Sequence, residues 1–320
     1  MKEVGLIGLG NAGKPIAERL LKKGYRLKVY DLNPEPVNAL AELGAAKTTS
    51  AREAVSKVTL TILPSSTEVK AAAFGDNGLL AAMQPGFILI DLSGTDPNFA
   101  RGLEQELEKR AAHFLGATLH AAGAPAVTIP RGLLSVVVGG KKDVLEKCLG
   151  ILEDLCQKVI CVSEAWMPKA MKIAVIMFAA TNSIISAEVF SWLIAQGIDP
   201  KLFLQLLKTT GSRESAGRVE EFLKRTRSYG GALSNSYKDI RQALEVAASL
   251  DLPLPLMNTV NQLQEMGRAQ GLTRLNTPAA MGMLYEIITG LNLSQAVVES
   301  ERVFPEPHEP EVIYLEDFKK

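Results

Sequence analysis

The sequence predicts an α/β domain built on a parallel, doubly wound sheet, followed by an all-α helical domain. Up to about residue 164, short apolar strands alternate with helix-period segments; beyond it, helix-period segments follow one another without a convincing strand. The 320 residues also exceed the ~250–300 at which single hydrophobic cores stop growing. We expect domains at 1–164 and 165–290. The acidic, proline-containing residues 291–320 are expected to form an extended arm that packs on a neighbour or is disordered.

A glycine-rich turn joins the first predicted strand to the first helix. Gly8, Gly10 and Gly13 follow an apolar run at the spacing G-x-G-x-x-G. In a Rossmann dinucleotide-binding unit the first glycine allows the tight turn, the second lets a pyrophosphate approach, and the third lets helix and strand pack closely. The helix N-terminus favours phosphate. The cofactor-binding turn is therefore predicted to comprise Gly8, Leu9, Gly10, Asn11, Ala12 and Gly13.

The second predicted strand, residues 25–31, ends in a carboxylate. Asp31 stands 18 residues after Gly13, where an acid accepts a hydrogen bond from the ribose 2′-hydroxyl. A carboxylate repels a 2′-phosphate, and Leu32 and Asn33 offer no arginine to bind one. We therefore expect NAD(H) as the preferred cofactor, with NADP(H) as the alternative. A glycine-rich turn that binds no ligand is the competing interpretation.

The rest of the chain also contains segments that predict strands and helices. Pro64 ends the strand at 58–63 and directs the chain toward the crevice where ligands bind such sheets. Further strands are predicted at 87–91, 113–119, 134–138 and 159–162. Helices of the second domain are predicted at 169–194, 200–209, 218–223, 235–250 and 255–270.

Composition restricts the partners and the compartment. Lys and Arg balance Asp and Glu at 35 each, which gives no support to nucleic acid or an anionic membrane as a partner. The three cysteines lack metal-site spacing, so we predict no metal and expect reduced thiols in a cytoplasmic protein. The apolar residues 173–185 are interrupted by polar ones. We interpret them as part of a buried core helix, too short and too polar to cross a bilayer.

One lysine could transfer a proton. A nicotinamide enzyme acting on alcohols or carbonyls needs a group that moves a proton while hydride moves. Lys172 lies among apolar residues near the start of the long predicted helix, and burial there would lower the pKa of its ammonium group. The competing interpretation is a helix lysine that reaches solvent.

Several motifs in order resemble the β-hydroxyacid dehydrogenase family, which includes 3-hydroxyisobutyrate and 6-phosphogluconate dehydrogenases. The resemblance covers roughly residues 3–290. Its motifs are the glycine turn, Leu63-Pro64, Asp91-Leu92-Ser93 with Pro97, Val136 to Gly140, Lys172 with Glu188, Gly197 to Pro200, Lys238-Asp239, and Leu252 to Pro255. An ordered series of this kind is more specific than any one motif.

The resemblance implies an oxidoreductase that interconverts a small hydroxy acid and its aldehyde or ketone. It implies Lys172 as the catalytic acid/base and Lys238 lining the cleft near nicotinamide and substrate. Contacts with the cofactor are implied for Leu63, Pro64, Ser93 and Gly94. The apolar helical domain also makes us expect a homo-oligomer.

The departures from the family pattern fall in the substrate pocket. Gly123 replaces a serine that holds the substrate carboxylate, and Pro125 removes a backbone donor. Ile176 stands where the family has an asparagine, and Gly94 where it has a threonine. We predict an altered pocket at Gly123, Ala124 and Ile176, with His120, Thr128, Arg131 and Arg213 as further polar candidates.

Two other functions stay open at this point. One is a reductase of imines or bulkier carbonyls, and the other is a dinucleotide-binding protein without turnover. Imine reductases of related build usually carry Asp or Tyr in place of the lysine, so the presence of Lys172 favours the dehydrogenase.

Overall fold

The computed structural model describes residues 3–121, 125–209, 231–293 and 311–314. The chain forms two compact units, one of residues 1–172 with 305–320 and the other of residues 173–304. Four predicted features lie outside the described residues: the helix at 218–223, Arg213, Gly123 and Ala124.

The first unit contains one sheet. Its strands are β1 (Glu3–Ile7), β2 (Arg26–Tyr30), β3 (Ala46–Lys47), β4 (Val58–Thr61), β5 (Ile88–Asp91), β6 (His113–Ala121), β7 (Leu134–Gly139), β8 (Lys158–Val162) and β9 (Glu311–Tyr314). They lie in the order β3-β2-β1-β4-β5-β6-β7-β8-β9 within the described part of the chain. The first six strands follow the doubly wound order, which confirms the predicted α/β fold.

One strand pair departs from the predicted parallel arrangement. β6 and β7 pair antiparallel, whereas the other neighbouring strands pair parallel. β7 lies beside the part of β6 that continues past the end of β5, and β8 pairs in parallel with β7. As a result, four paired residues form one row across the sheet: Asp91, Gly116, Gly139 and Val162.

Helices cover both faces of this sheet. They are α1 (Gly13–Lys22), α2 (Pro34–Glu42), α3 (Ala51–Ala54), α4 (Ser66–Ala73), α5 (Pro97–Glu108), α6 (Pro125–Thr128) and α7 (Lys142–Leu155). Neighbouring strand residues contribute to opposite faces: Leu6 packs in the cluster with α1, α2 and α7, and Ile7 in the cluster with α3, α4 and α5. This two-sided burial explains why the strands are continuously apolar.

The second unit is helical in its described residues. α8 (Met167–Ala195) leads into it, followed by α9 (Pro200–Thr209), α10 (Leu233–Ser249), α11 (Pro255–Ala269) and α12 (Thr277–Thr289). Their apolar faces share one core that includes Phe190, Ile240, Val260 and Leu284. α12 begins at a cap in which the side chain of Asn276 accepts a hydrogen bond from the Ala279 N–H.

α8 contains the helix predicted at 169–194, but it is more exposed than the buried core helix that we expect from the sequence. It has 29 residues, and an 18-residue window has a mean hydropathy of 1.8 with only 33% of its residues buried. The prediction that this segment is too short to cross a bilayer is therefore wrong on length. One such helix is weak evidence for a membrane span, because core helices pass the same test. Hydroxyls along it, such as Ser183 and Ser191, donate to carbonyls one turn back.

Residues 311–314 also depart from expectation. From the sequence we expect them to belong to an arm that packs on a neighbour or is disordered. Instead they form β9, which pairs in parallel with β8 of the same chain. The segment Glu311-Val312-Ile313-Tyr314 contains two β-branched residues and one aromatic residue, types that favour strands.

Candidate active site

The glycine turn has the geometry that its sequence predicted. Gly8 has φ +96°, and a Cβ there would overlap the carbonyl oxygen of Ile62. A Cβ at Gly13 would overlap the carbonyl oxygen of Gly8, so helix and turn pack at the closest possible distance. Gly10 differs, because it is exposed and no atom lies within 4 Å of the position of a Cβ. The turn therefore leaves open space where a pyrophosphate would approach.

Asp31 connects the end of β2 to this turn. Its Oδ2 accepts a hydrogen bond from the Leu9 N–H at 2.6 Å, and its Oδ1 accepts one from the Asn33 N–H at 2.8 Å. A carboxylate has about four acceptor sites in total, so both oxygens retain capacity for ribose hydroxyls. The first turn of α1 contains no acidic side chain that would repel phosphate. These residues fit a dinucleotide.

The predicted contacts after β4 and β5 lie together. The Leu63 N–H donates to Ser93 Oγ at 2.9 Å, and the Gly94 N–H donates to the Leu63 carbonyl at 3.3 Å. The same Leu63 side chain closes over Gly8, where its Cδ2 would be 2.8 Å from a Cβ. The structure thus brings Gly8, Leu63, Ser93 and Gly94 to the carboxyl edge of the parallel strands, where such sheets bind ligands.

Sequence reasoning missed a buried ion pair at this edge. Lys169 Nζ lies 2.9 Å from Asp91 Oδ2, and both side chains are fully buried. The same Nζ donates to the carbonyl oxygens of Asp91 at 2.8 Å, Ser93 at 3.0 Å and Ala117 at 2.9 Å. The available signal was weak: a second lysine, three residues before Lys172, in a largely apolar segment.

Asp91 collects donors from three neighbours besides Lys169. Thr61 Oγ1 and the Ser93 N–H donate to its Oδ1, and Thr95 Oγ1 donates to its Oδ2. Burial opposes ionisation of Asp91, but the charge of Lys169 and these hydrogen bonds outweigh it and hold the pKa of the carboxyl below its usual value. The carboxylate is therefore ionised, and its charge is compensated inside the unit.

Lys172 is half-buried, one turn after Lys169 on α8. Its positive charge acts on His120, whose pKa is lowered to about 4, chiefly by burial and further by Lys172. His120 Nε2 lies 3.0 Å from Thr118 Oγ1, which donates to the Pro168 carbonyl. The Nε2–H tautomer of a neutral imidazole satisfies this chain of hydrogen bonds. The role of Lys172 as acid/base stays a prediction.

Two further predicted residues belong to the second unit. Ile176 is half-buried and packs against the helical core. Lys238 on α10 has its Nζ 3.4 Å from Asp239 Oδ1. Their places near cofactor and substrate stay predictions, as do those of Gly123 and Ala124, which lie outside the described residues.

The open space above Gly10 leads to a test of the turn. We expect Gly10→Ala to fold with an unchanged melting temperature, because its methyl group meets no protein atom. NADH affinity should fall by about tenfold, or ~1.4 kcal/mol, because that methyl occupies the pyrophosphate's approach. NADH fluorescence titration measures the affinity. Gly102→Ala on α5, where a Cβ also meets nothing, is the control and should bind as wild type. Wild-type affinity in Gly10→Ala would contradict the assignment.

The environment of His120 leads to a pH prediction. Its folded-state pKa of about 4 lies below the ordinary value near 6.5, so protons bind the unfolded chain more readily. The stabilising contribution is complete above about pH 6.5 and is lost as pH falls toward 4. Denaturant unfolding between pH 4 and 8 should show this loss in wild type and less of it in His120→Gln. An imidazole NMR signal absent from His120→Gln and titrating near 6.5 would refute the prediction.

Comparisons with known proteins agree with this geometry. Residues 3–163 match the NAD-binding domain of 6-phosphogluconate dehydrogenase, and residues 168–284 match the family model described as NAD-binding of NADP-dependent 3-hydroxyisobutyrate dehydrogenase. Mitochondrial 3-hydroxyisobutyrate dehydrogenase of Mus musculus is 29% identical over 88% of this chain and 87% of its own. The 2-(hydroxymethyl)glutarate dehydrogenase of Eubacterium barkeri is 27% identical over 91% and 97%.

A solved structure shows the same fold. The 3-hydroxyisobutyrate dehydrogenase of Mycobacterium tuberculosis, studied with L-serine, aligns with a TM-score of 0.78 at 23% identity, covering 89% of this chain and 99% of its own. The two-unit fold thus has a counterpart along nearly the whole chain. The protein belongs to the β-hydroxyacid dehydrogenase family, as a divergent member.

Proposed function

We propose that the protein is an NAD(P)-dependent oxidoreductase that interconverts a small hydroxy acid, or a related alcohol, with its aldehyde or ketone. The observation that carries the proposal is the position of α8. Lys169 holds its first turn against Asp91, Ser93 and Ala117, so Lys172 stands one turn from the edge where the cofactor-binding residues gather. The named relatives are dehydrogenases of hydroxy acids.

Each residue then has a defined task. Bound nicotinamide would supply or accept the hydride. The ammonium group of Lys172 donates a proton to the carbonyl oxygen in the reductive direction, and its amine removes that proton in the oxidative direction. His120 is neutral at pH 7 and adds no second positive charge beside the lysine. Asp31 and the turn from Gly8 to Gly13 hold the ribose and pyrophosphate.

The proposed cofactor preference is NAD(H) over NADP(H). Asp31 directs its carboxylate toward the glycine turn, and a 2′-phosphate placed there would meet a negative charge. Leu32, which follows it, is 90% exposed and offers no positive group. The hydroxyls of an unphosphorylated ribose, by contrast, can donate to both carboxylate oxygens.

The sequence also supports a second candidate substrate class, a larger or less polar carbonyl compound. Ile176 presents an alkyl side chain where the family has an amide, and Gly123 lacks the serine hydroxyl that would hold a carboxylate. A carbonyl compound with a larger apolar group fits these changes. The retained Lys172 favours a carbonyl over an imine, because imine reductases of related build usually carry Asp or Tyr at this position.

The cysteines support a reducing compartment, and we propose the cytoplasm. Cys148, Cys156 and Cys161 are all free and buried. Burial raises the pKa of each thiol to about 11, so no thiolate is available for disulfide chemistry at neutral pH.

The catalytic proposal is tested by Lys172→Ala. We expect kcat to fall by about 10²–10⁴-fold, the usual contribution of a positioned acid or base, with NADH affinity unchanged. Oxidation of NADH and of NADPH is followed at 340 nm with short semialdehydes, keto acids, bulkier ketones and cyclic imines. Lys147→Ala, an exposed lysine paired with Asp143 on α7, is the matched control and should retain wild-type kcat.

The same screen separates the competing functions. Turnover of imines alone, or turnover that survives Lys172→Ala, would replace the dehydrogenase with an imine reductase. Tight NADH binding without turnover of any compound would indicate a dinucleotide-binding protein. Faster turnover with NADPH than with NADH would overturn the cofactor preference.

We also propose a homo-oligomer formed through α8. Residues 173–187 carry no charge, yet Phe178 is 71% exposed and Trp192 62% exposed. An exposed apolar surface of this kind, on a helix with fifteen successive uncharged residues at 173–187, suits a second copy of the same helix. Light scattering should give a multiple of 34.5 kDa for wild type and a smaller mass for Phe178→Glu. Leu43→Glu, at an exposed leucine after α2, should keep the wild-type mass. A monomeric wild type would refute the proposal.

A further inference from the structure

Burial lowers the pKa of Lys169, partly offset by Asp91, but the contacts of its amine call for the ammonium form. Four oxygen atoms lie within 3.0 Å of Nζ: the carbonyls of Asp91, Ser93 and Ala117, and Oδ2 of Asp91. Three carbonyl oxygens can only accept, so they need three N–H donors, and a neutral amine has two. The charged form supplies all three and is balanced by the Asp91 carboxylate.

This ammonium group joins three parts of the predicted catalytic apparatus. Asp91 is the last residue of β5, Ser93 follows it, and Ala117 lies in β6. Ser93 in turn accepts from the Leu63 N–H, so the loops after β4 and β5 share one network with Lys169. A shift of the lysine would therefore move backbone that is predicted to contact the cofactor.

The same contacts fix the beginning of α8. Lys169 is the third residue of that helix, and Lys172 follows three positions later, about 4.5 Å along the axis and on a neighbouring part of the same face. Thr118 of β6 makes a second attachment, because its hydroxyl donates to the Pro168 carbonyl. Both the axial position and the rotation of the first turn are thereby set by the sheet.

Stability alone does not call for this ion pair. A buried pair replaced by well-packed apolar side chains often leaves a protein equally stable or more stable, because the desolvation of two charges is avoided. An apolar side chain at 169 could fill the same volume but could not bind three carbonyl oxygens. What the lysine adds is a fixed relative position of strand ends and helix.

We infer that Lys169 is a positioning residue for the reaction: its ammonium group holds the loop after β5, strand β6 and the first turn of α8 together, and so places Lys172 relative to the cofactor. The inference rests on the proposed function, and it adds a role for a side chain that touches neither substrate nor cofactor. It also separates the two lysines of this helix: Lys172 transfers the proton, and Lys169 sets where it does so.

The test separates positioning from charge compensation. Lys169→Met leaves the Asp91 carboxylate buried without a counter-charge, so this variant should lose stability. The double variant Lys169→Met/Asp91→Asn removes both charges. Its amide oxygen can still accept from Thr61 and Ser93, and its amide N–H₂ can donate to Thr95 Oγ1. The melting temperature of the double variant should recover in part, because the unpaired charge is gone while the three carbonyl oxygens still lack the lysine's N–H groups.

Activity should not return with stability. We expect the double variant to keep a kcat about 100-fold below wild type, because a displaced acid/base loses its alignment, with a KM for the carbonyl substrate that changes little. NADH affinity should also stay weakened, because the loops at Leu63 and Ser93 lose their common anchor. Lys147→Met, at an exposed position on α7, is the control and should match wild type in all three measurements.

A spectroscopic readout works even without turnover. Trp166 immediately precedes α8, accepts from the Lys169 N–H through its carbonyl, and stacks under Arg101 at 3.9 Å. In a Trp192→Phe background it is the sole tryptophan, since the chain has two. Its emission maximum should shift in Lys169→Met and stay shifted in the double variant.

The outcomes are distinct. Recovery of kcat, NADH affinity and Trp166 emission together with stability in the double variant would overturn the inference, because Lys169 would then only balance Asp91. Wild-type kcat and NADH affinity in Lys169→Met would overturn it too. A wild type that turns over no compound refutes the proposed function. NADH affinity and Trp166 emission would then still show whether Lys169 holds the loops and the helix in place.

Discussion

The ion pair between Lys169 and Asp91 is the interaction on which the site of this protein depends. Two charges buried in one compact unit are costly to desolvate, and they are tolerated here because the two groups face each other and each has several hydrogen-bond partners. The pair joins residues 78 positions apart, and its surrounding hydrogen bonds extend to the loop after β4. The loops after β4 and β5 and the start of α8 are therefore one hydrogen-bonded structure, and the sheet sets the position of Lys172, the predicted proton-transfer residue.

Much of the first unit could be predicted from sequence because its signals are local. The glycine turn, the acid after β2 and the proline after β4 each specify a backbone geometry within a few residues. The structure brings Gly8, Asp31, Leu63 and Ser93 together at one edge as a doubly wound sheet requires. Lys169 could not be found in this way, because its partner lies on another strand and only the assembled sheet brings the two charges into contact. A lysine in an apolar segment looks the same whether it reaches solvent or an internal carboxylate.

The errors of sequence reasoning have physical causes as well. The polar residues of α8 predict a segment too polar to cross a bilayer, but their hydroxyls bind carbonyls one turn back and the helix keeps a mean hydropathy of 1.8 over 18 residues. The antiparallel pairing of β6 and β7 was missed because alternation of strands and helices indicates parallel crossovers, whereas only the short α6 connects these two strands in the described residues. β9 was missed because a four-residue strand has too few residues for a periodic pattern.

One row across the sheet affects the path of the chain after β8. It contains Asp91, Gly116, Gly139 and Val162. Because β7 and β8 lie beside the extension of β6, the chain leaves β8 level with the end of β5 and crosses directly over the row on its way to α8. A Cβ at Gly116 would overlap the Ala165 carbonyl, and one at Gly139 would overlap the Glu164 carbonyl. Because Gly116 and Gly139 have no Cβ, the chain between β8 and α8 can pass close to the sheet at this row. The absence of side chains at Gly116 and Gly139 is therefore part of what positions the chain segment that leads into α8, the helix that carries Lys172.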